Sequence, residues 1–514
     1  MIKKCFTAKY SIPAVMSIAC AVLVYLLLHA HGTGVTPDSI AYMAAARNIA
    51  EGKGVLSFAG KPLVSHPPFY SVILAVPVLL FQVDPLVSTP MINSILLGVI
   101  IFLSGILLQE FFRQEIVLIT LPLVAVMLAR PIVHVIRYAW SEPLFITLTL
   151  VYFIFGAKYR TTHRRRELYF MGSAIALASL TRYIGISLLF AGLLNIWVFN
   201  KSELKKKFSH VSLFCITACL PVALWLTRNI ILGGSPFGER YPSIINLGQN
   251  IGLVVRTILQ WFLPLFIVKN SFAVFAMCVI FCGLLFYWGR KNLSSVKIFL
   301  PDHWTLISFL LSYIPFLIII STITAHDTIG DRLLSPAFIP FYFLLIGMVW
   351  EMINSSRFGK EGKLKMTLMV IFLLATLVYP VRIAVFQINE YRQNEGLIYN
   401  TLAWRESKTI KYVLEHELLT PGTIAYCNDP HPLYLYTRIN TALTPSKSAY
   451  NSSKPATDPQ TLKGKWPGPD TYYLIWFNTG QGDFLFSLAE LQSIAQINEV
   501  IRFSDGAIYT VSRK

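Results

Sequence analysis

Residues 36–70 read TPDSIAYMAAARNIAEGKGVLSFAGKPLVSHPPFY, a polar stretch that follows the first hydrophobic run and precedes a largely apolar chain. Asp38 is a good helix N-cap, and Ile40, Met43, Ala44, Ile49 and Ala50 roughly follow a helical stripe. Gly52 and Gly54 mark the end of that helix, where glycine supplies the turn that other residues resist. The helix is too short and too polar to cross a bilayer, so it is expected to lie flat on the membrane surface. His66-Pro67-Pro68 then opens a second apolar piece over residues 69–82. Two short interfacial helices bearing Asp38 and His66 are expected to frame a reaction chamber; the plain alternative is a structural loop.

Working outward, the 514-residue chain is 55% hydrophobic and only 14% charged, too apolar for a soluble fold. The formal net charge of +18 does not point to nucleic acid, because the basic residues cluster in short links between apolar runs. Cys20, Cys215, Cys219, Cys278 and Cys282 sit inside those runs and Cys427 stands alone in the polar tail, so no disulfide framework is legible. The N-terminal run, residues 11–29, is longer than a signal-peptide core and no cleavage site follows it. It reads as an uncleaved first span with a cytoplasmic N-terminus.

Residues 69–82 are too few to span a bilayer that needs about 20. If they do not cross, the basic links at 158–166, 201–207 and 290–297 all fall in the cytoplasm, so length and charge agree. Spans are then expected at 11–29, 86–109, 116–129, 141–157, 168–180, 184–199, 211–227, 272–288, 304–323, 333–350 and 366–386, about eleven in all. Residues 130–138 are left on the outer side, and 251–268 as an outer-surface helix, with a further span as the alternative. The fold class is a mainly α polytopic membrane protein, with a membrane domain over 1–386, an outer loop at about 31–85 and a soluble α/β domain over 387–514. In that tail, helices are expected at 409–419 and 485–495, strands at 423–427 and 472–477, and a hairpin over 500–511 around Asp505-Gly506.

This topology brings Asp38, Arg47, Glu51, Lys61, His66, Arg130, His134, Arg137, Glu142, Arg182, Arg228, Glu239, Arg240, His326, Asp327, Asp331 and Arg332 to one face. Few carboxylates among many cations suit an anionic substrate such as a lipid phosphate. A transporter would show duplicated halves with broken helices at midplane, and none is visible. A non-catalytic lipid-phosphate-binding protein remains the other alternative.

Several motifs, in order, resemble those of the GT-C glycosyltransferases, and within them the protein O-mannosyltransferases and the aminoarabinose transferases that modify lipid A. They are Asp38 with Tyr42 and the Ala-rich helix, Gly52-Lys53-Gly54, His66-Pro67-Pro68, Ser141-Glu142-Pro143, Thr181-Arg182, Trp225-Leu226-Thr227-Arg228-Asn229 and Asp331-Arg332-Leu333-Leu334-Ser335-Pro336. The resemblance covers roughly residues 11–386. It implies a GT-C bundle at the inner membrane that moves a sugar, mannose or a similar pentose or hexose, from a polyprenyl-phosphate donor to a lipid, glycan or protein acceptor, with inversion. Asp38 would be the general base, acting near its normal pKa, and Glu142 would orient the sugar or hold a divalent ion (Mg or Mn) with Asp38. His66, Arg332, Arg182 and Lys61 would bind the donor phosphate; Tyr42, Arg137, Arg228, Asp331 and Asp327 are further candidates. The two named subfamilies usually carry Asp-Glu where this chain has Asp38-Ser39, which weakens a metal there. The aminoarabinose type has Lys-Pro-Pro where this chain has His66-Pro67-Pro68, and the inserted outer domain of the eukaryotic mannosyl enzymes is absent. Each candidate also has a structural reading: Asp38 as a cap, Glu142 favoured by the helix dipole, the arginines as paired or snorkelling.

Overall fold

The structure, a computed structural model, describes residues 10–112, 115–199, 203–291, 293–355, 362–420, 423–453, 457–479, 482 and 484–514. The first nine residues, Arg113, Lys201, Ser202 and most of the link at 355–365, to which the charge reading assigned a cytoplasmic side, lie outside the described residues.

The apolar runs form long helices because nothing but intrahelical bonding satisfies backbone groups in hydrocarbon. In order they are α1 (Ser11–His29), α2 (Pro37–Ala50), α3 (Phe69–Phe81), α4 (Pro85–Phe112), α5 (Ile116–Leu128), α6 (Arg130–Ile136), α7 (Glu142–Thr162) and α8 (Arg165–Thr181). There follow α9 (Ile186–Phe199), α10 (Leu204–Gly233), α11 (Leu247–Gln260), α12 (Leu265–Lys269), α13 (Ser271–Lys291), α14 (Leu293–Ile323), α15 (Asp331–Ser355) and α16 (Gly362–Gln393). Six of these helices (α1, α4, α10, α14, α15 and α16) have the length and apolarity of a membrane span among the described residues. A seventh forms if α5 and α6, bent by 53° at their junction, count as one. The other expected spans, at α7, α8, α9 and α13, are helices at the expected places; α7, α8 and α9 are shorter or more polar than a full span, while α13 has 21 mostly apolar residues. The stretch at 130–138, left on the outer side, is mostly the helix α6.

Exposed apolar side chains such as Ile18 and Leu26 on α1, Ile216 and Leu224 on α10 and Val378 on α16 line the outside, where lipid rather than water would cover them. The 13 residues of α3 reach about 20 Å, short of the roughly 30 Å hydrocarbon thickness. Ser39 to Ala46 are all buried, so α2 is encased in protein. The cap of the helix differs from expectation. Thr36, not Asp38, is the N-cap: its hydroxyl accepts from the Ser39 amide and Ser39 returns the bond, while Pro37 occupies the first turn. α2 does end just before Gly52 (φ 73°) and Gly54 (φ 86°), which adopt the left-handed turn glycine allows.

The tail builds a five-stranded sheet, ordered β2-β1-β3-β5-β4, from β1 (Ala425–Cys427), β2 (Ala442–Leu443), β3 (Tyr472–Phe477), β4 (Ala495–Arg502) and β5 (Gly506–Arg513). β1 runs parallel to β2 and β3, while β5 pairs antiparallel with β3 and β4. Helices α17 (Leu402–Arg405), α18 (Lys408–Glu415), α19 (Pro430–Thr437) and α20 (Leu488–Ile494) cover it. Alternate residues of β3 fill opposite cores: Leu474 and Trp476 pack with Tyr509 on one face, Ile475 and Phe477 with Ile508 on the other. The hairpin around Asp505-Gly506 is longer than the pattern implied, starting at Ala495 where a helix end was expected; α19 and β2 were not foreseen. Tyr434 and Leu435 of α19 join the buried cluster of the membrane helices, and Phe58 packs on His431 and Tyr434 at ring distances of 5.5 and 5.4 Å. The first loop and the tail are therefore packed together.

Candidate active site

Capping by Thr36 leaves the Asp38 carboxylate free at the second position of α2, where the helix N-terminus favours a negative charge. It faces two cations. His66 Nε2 lies 3.2 Å from Asp38 Oδ1, and Arg332 Nη2 donates to Asp38 Oδ2 at 2.5 Å. Arg332, at the start of α15, spreads its guanidinium over two more carboxylates: Nε donates to Glu142 Oε1 at 2.6 Å and Nη1 to Asp327 Oδ2 at 2.8 Å. Its plane lies over the Trp140 ring, 4.2 Å from the centroid, and Trp140 in turn donates to the Thr36 hydroxyl at 2.8 Å.

Glu142, fully buried at the start of α7, also pairs through Oε1 with Arg182, which follows α8. Its Oε2 is buried with no hydrogen-bond partner among the described residues. Arg182 Nη1 donates to Ser141 Oγ at 3.3 Å, which is 3.1 Å from the Tyr42 hydroxyl. Tyr42 stacks edge-on against His66 at 5.0 Å. Burial would raise the Asp38 pKa, but the Arg332 charge and the His66 bond outweigh it and hold the carboxyl well below its usual range. The expectation of a base near its normal pKa therefore does not describe this arrangement. Burial pushes the Tyr42 hydroxyl up, keeping it neutral.

Asp38, His66, Arg182 and Arg332 line a cavity of about 580 Å³ together with Arg240, His326 and Asp327 and the apolar Val222, Leu226, Phe316 and Ile320. Such a lining offers charged groups to a polar ligand and apolar walls to a hydrocarbon chain. Of the residues singled out from sequence, Asp38, Tyr42, His66, Glu142, Arg182, Asp327 and Arg332 converge here. Four do not. Arg137 is buried and ties α6 to the end of α16 by donating to the Gln387 carbonyl at 2.6 Å. Arg228 donates to the Leu63 and Val55 carbonyls at 3.0 and 2.9 Å, pinning the first loop. Asp331 accepts from Arg130 at 2.6 Å. Lys61 lines a separate cavity against the tail. The sequence reading did not single out Trp140 or Ser141 as site residues; their only signal was their place immediately before Glu142-Pro143 at a helix start.

The fit of a divalent ion can be tested on the donor set. Both Asp38 oxygens and Glu142 Oε1 already face cations, and only Glu142 Oε2 is free. No three His, Cys, Asp or Glu side chains converge as a metal site among the described residues. The pair does not fit a divalent ion in this arrangement, and no step below passes through one.

The fold is that of the GT-C glycosyltransferases. ArnT from Cupriavidus metallidurans, solved bound to undecaprenyl phosphate, matches with a TM-score of 0.53 and 13% identity over 96% of this chain and 97% of that one. Its apo structure gives 0.51 and 14% over the same shares. The Pmt1-Pmt2 protein O-mannosyltransferase complex of S. cerevisiae, bound to the sugar donor, overlaps 44% of this chain and 34% of its own at a TM-score of 0.32 and 15% identity, below the level of a shared fold. No family model and no curated protein matches the sequence.

Proposed function

We propose that the chain is an inverting glycosyltransferase of the inner membrane, moving a sugar (mannose or a similar pentose or hexose) from a polyprenyl-phosphate donor to an acceptor hydroxyl. The observation that carries this reading is a single carboxylate, Asp38, held between Arg332 and His66 in the wall of a cavity that also has apolar walls. The isoprenoid chain would lie along Val222, Leu226 and Phe316 with its phosphate at the arginines. In a single displacement the acceptor oxygen attacks the anomeric carbon, the bond from that carbon to the phosphate oxygen breaks, and the hydroxyl proton passes to Asp38. The departing phosphate is an anion that needs cations rather than an acid, and Arg332, Arg182 and His66 supply them.

In the arrangement described, Arg332 is already shared among three carboxylates. An incoming phosphate competes for it, and each contact drawn from Asp38 makes Asp38 a stronger base. Donor binding thereby prepares the base it needs. Glu142 is a positioning residue that fixes both guanidiniums. The GT-C fold and the charge distribution support a cytoplasmic N-terminus, with residues 387–514 as a soluble domain on the extracytoplasmic side where the reaction would occur.

The test is transfer of labelled sugar from polyprenyl-phosphate donors by the full chain in proteoliposomes, compared with Asp38→Asn. Loss of product by a protein that still inserts and binds donor supports the reading; undiminished transfer by the variant removes Asp38 as the base. No transfer by the wild type from any such donor removes the transferase reading.

A further inference from the structure

A turn of the tail, residues 446–453, reaches two loops that line the first cavity. It is rooted in the tail, where the Lys447 amide donates to the Phe484 carbonyl at 2.7 Å and Ser446 pairs with Leu485. Its far end lies antiparallel to residues 242–244. Ser452 pairs with Ser243, the Ser453 amide donates to the Pro242 carbonyl at 3.1 Å, and the Ile244 amide donates to the Asn451 carbonyl at 3.3 Å. On their other side, residues 241–243 pair with the link after α14. Pro242 lies opposite Thr324, and the Ala325 amide donates to the Tyr241 carbonyl at 2.7 Å. Three segments distant in sequence are thus stitched edge to edge by backbone bonds.

Polar side chains of the cavity flank this junction: Arg240 precedes it on one segment, and His326 and Asp327 follow it on the other. The backbone pairing stops short of Asp327. Beyond it, Asn451 Nδ2 donates to the His326 carbonyl at 3.1 Å, so a side chain of the tail holds the peptide that leads into Asp327. His326 is fixed to its own segment, its ring nitrogens 3.2 Å from Ser321 Oγ and 3.0 Å from the Thr324 carbonyl. Asn451 adopts the left-handed conformation (φ 51°), which asparagine tolerates better than most residues.

Asp327 Oδ2 accepts from Arg332 Nη1 at 2.8 Å, while the other nitrogens of that guanidinium serve Asp38 and Glu142. Of the three carboxylates Asp327 is the most exposed, at 50% against 34% for Asp38 and 1% for Glu142. The weakest hold on Arg332 is therefore the one from Asp327. An arriving phosphate displaces that contact first, and the same carboxylate reclaims Arg332 when a phosphate leaves.

We propose that Asn451 is a positioning residue: it holds Asp327 against Arg332, and through that carboxylate the tail sets how tightly the site keeps a lipid phosphate. Calling the phosphate that of the sugar carrier rests on the transferase reading; the competition for Arg332 does not. In that reading the carrier arrives as a phosphodiester with one negative charge and leaves as a monoester with about −1.5 to −2. A carboxylate held ready beside Arg332 opposes the tighter grip on that product and favours its release.

The test is equilibrium binding of undecaprenyl phosphate to the full chain in zwitterionic nanodiscs. Asp327→Asn removes the competing charge and keeps the shape. Asn451→Gly removes the amide and keeps the left-handed backbone, so the turn still forms. Asp327→Asn should bind about fivefold more tightly than the wild type and Asn451→Gly about twofold. The double variant should bind no more tightly than Asp327→Asn alone. Amide exchange at residues 325–327 should be faster in Asn451→Gly. Unchanged or weaker binding by Asn451→Gly overturns the proposal, because a merely structural turn would loosen the site on removal. Additive tightening in the double variant, or unchanged amide exchange, overturns it too. So does the same pattern with undecaprenol, which lacks the phosphate, or no binding of undecaprenyl phosphate by either the wild type or Asp327→Asn. Transfer is not the readout: a chain that shows this pattern but moves no sugar removes the transferase reading and keeps this one.

Discussion

The two cavities carry their cations in opposite ways. In the first, Arg332 and Arg182 are tied to Asp38, Glu142 and Asp327, and the cluster neutralises much of its own charge. In the second, Lys61 has no carboxylate partner among the described residues and Arg438 shares one with Arg47. A self-paired cluster is rigid and gives up its cations only to a ligand that competes well, such as a phosphate joined to a buried hydrocarbon chain. An unpaired set accepts an anion without rearrangement but discriminates less. The difference teaches that cation count is a poor guide to where an anion binds; the carboxylates nearby decide what a cation is free to do.

Breaking the first cluster at its base has the largest expected effect. Asp38→Asn should lower transfer by about 10²–10⁴-fold, the range of general-base catalysis, while donor binding persists; single-turnover assays of labelled sugar transfer check it. Removing its buried anchor comes next. Glu142→Ala leaves the largely buried Arg182 without its carboxylate and takes one of three from Arg332, and should destabilise the fold by about 3–5 kcal/mol, read as a lower thermal unfolding midpoint in detergent. Glu142→Gln, which keeps the shape, should cost less.

A pH experiment sharpens the contrast further. The folded pKa of Asp38 is depressed, so its pairing stabilises the protein above the free-carboxylate value of about 3.9 and fades only as pH falls toward the lower folded value. Between pH 7 and 5 no protonated-carboxyl infrared band should be assignable to Asp38, with Asp38→Asn as the reference. Arg332→Gln removes the largest lowering influence while burial and the His66 bond remain, so that band should appear at a higher pH in the variant than in the wild type. A wild-type band at pH 5 would contradict the ion pair. The smallest effect lies at the seam between loop and tail. Phe58→Ala removes ring contacts with His431 and Tyr434 and should loosen the tail by about 0.5–1.5 kcal/mol, detectable as faster limited proteolysis of residues beyond α16.

Much of the architecture was open to a reading of residue order. Hydrophobic runs place the helices, α3 is as short as its apolar run, and Gly52 and Gly54 end α2 because backbone rules act over a few residues. The period-2 apolar run at 472–477 and the turn at Asp505-Gly506 place the last strands for the same reason. Asp38 and His66, 28 residues apart on one loop, could be suspected of meeting because little chain separates them.

Only the tertiary structure decided the rest. Arg332 reaches Asp38 across 294 residues and Glu142 across 190, and no local rule sets those pairings. Thr36 took the cap because its hydroxyl reached the Ser39 amide and the Trp140 indole together, which freed Asp38. Lys61 turned toward the tail because Arg228 and Tyr183 hold the carbonyls of residues 55–64. Long-range charge pairing depends on where packing sets each backbone, and packing is a property of the whole chain.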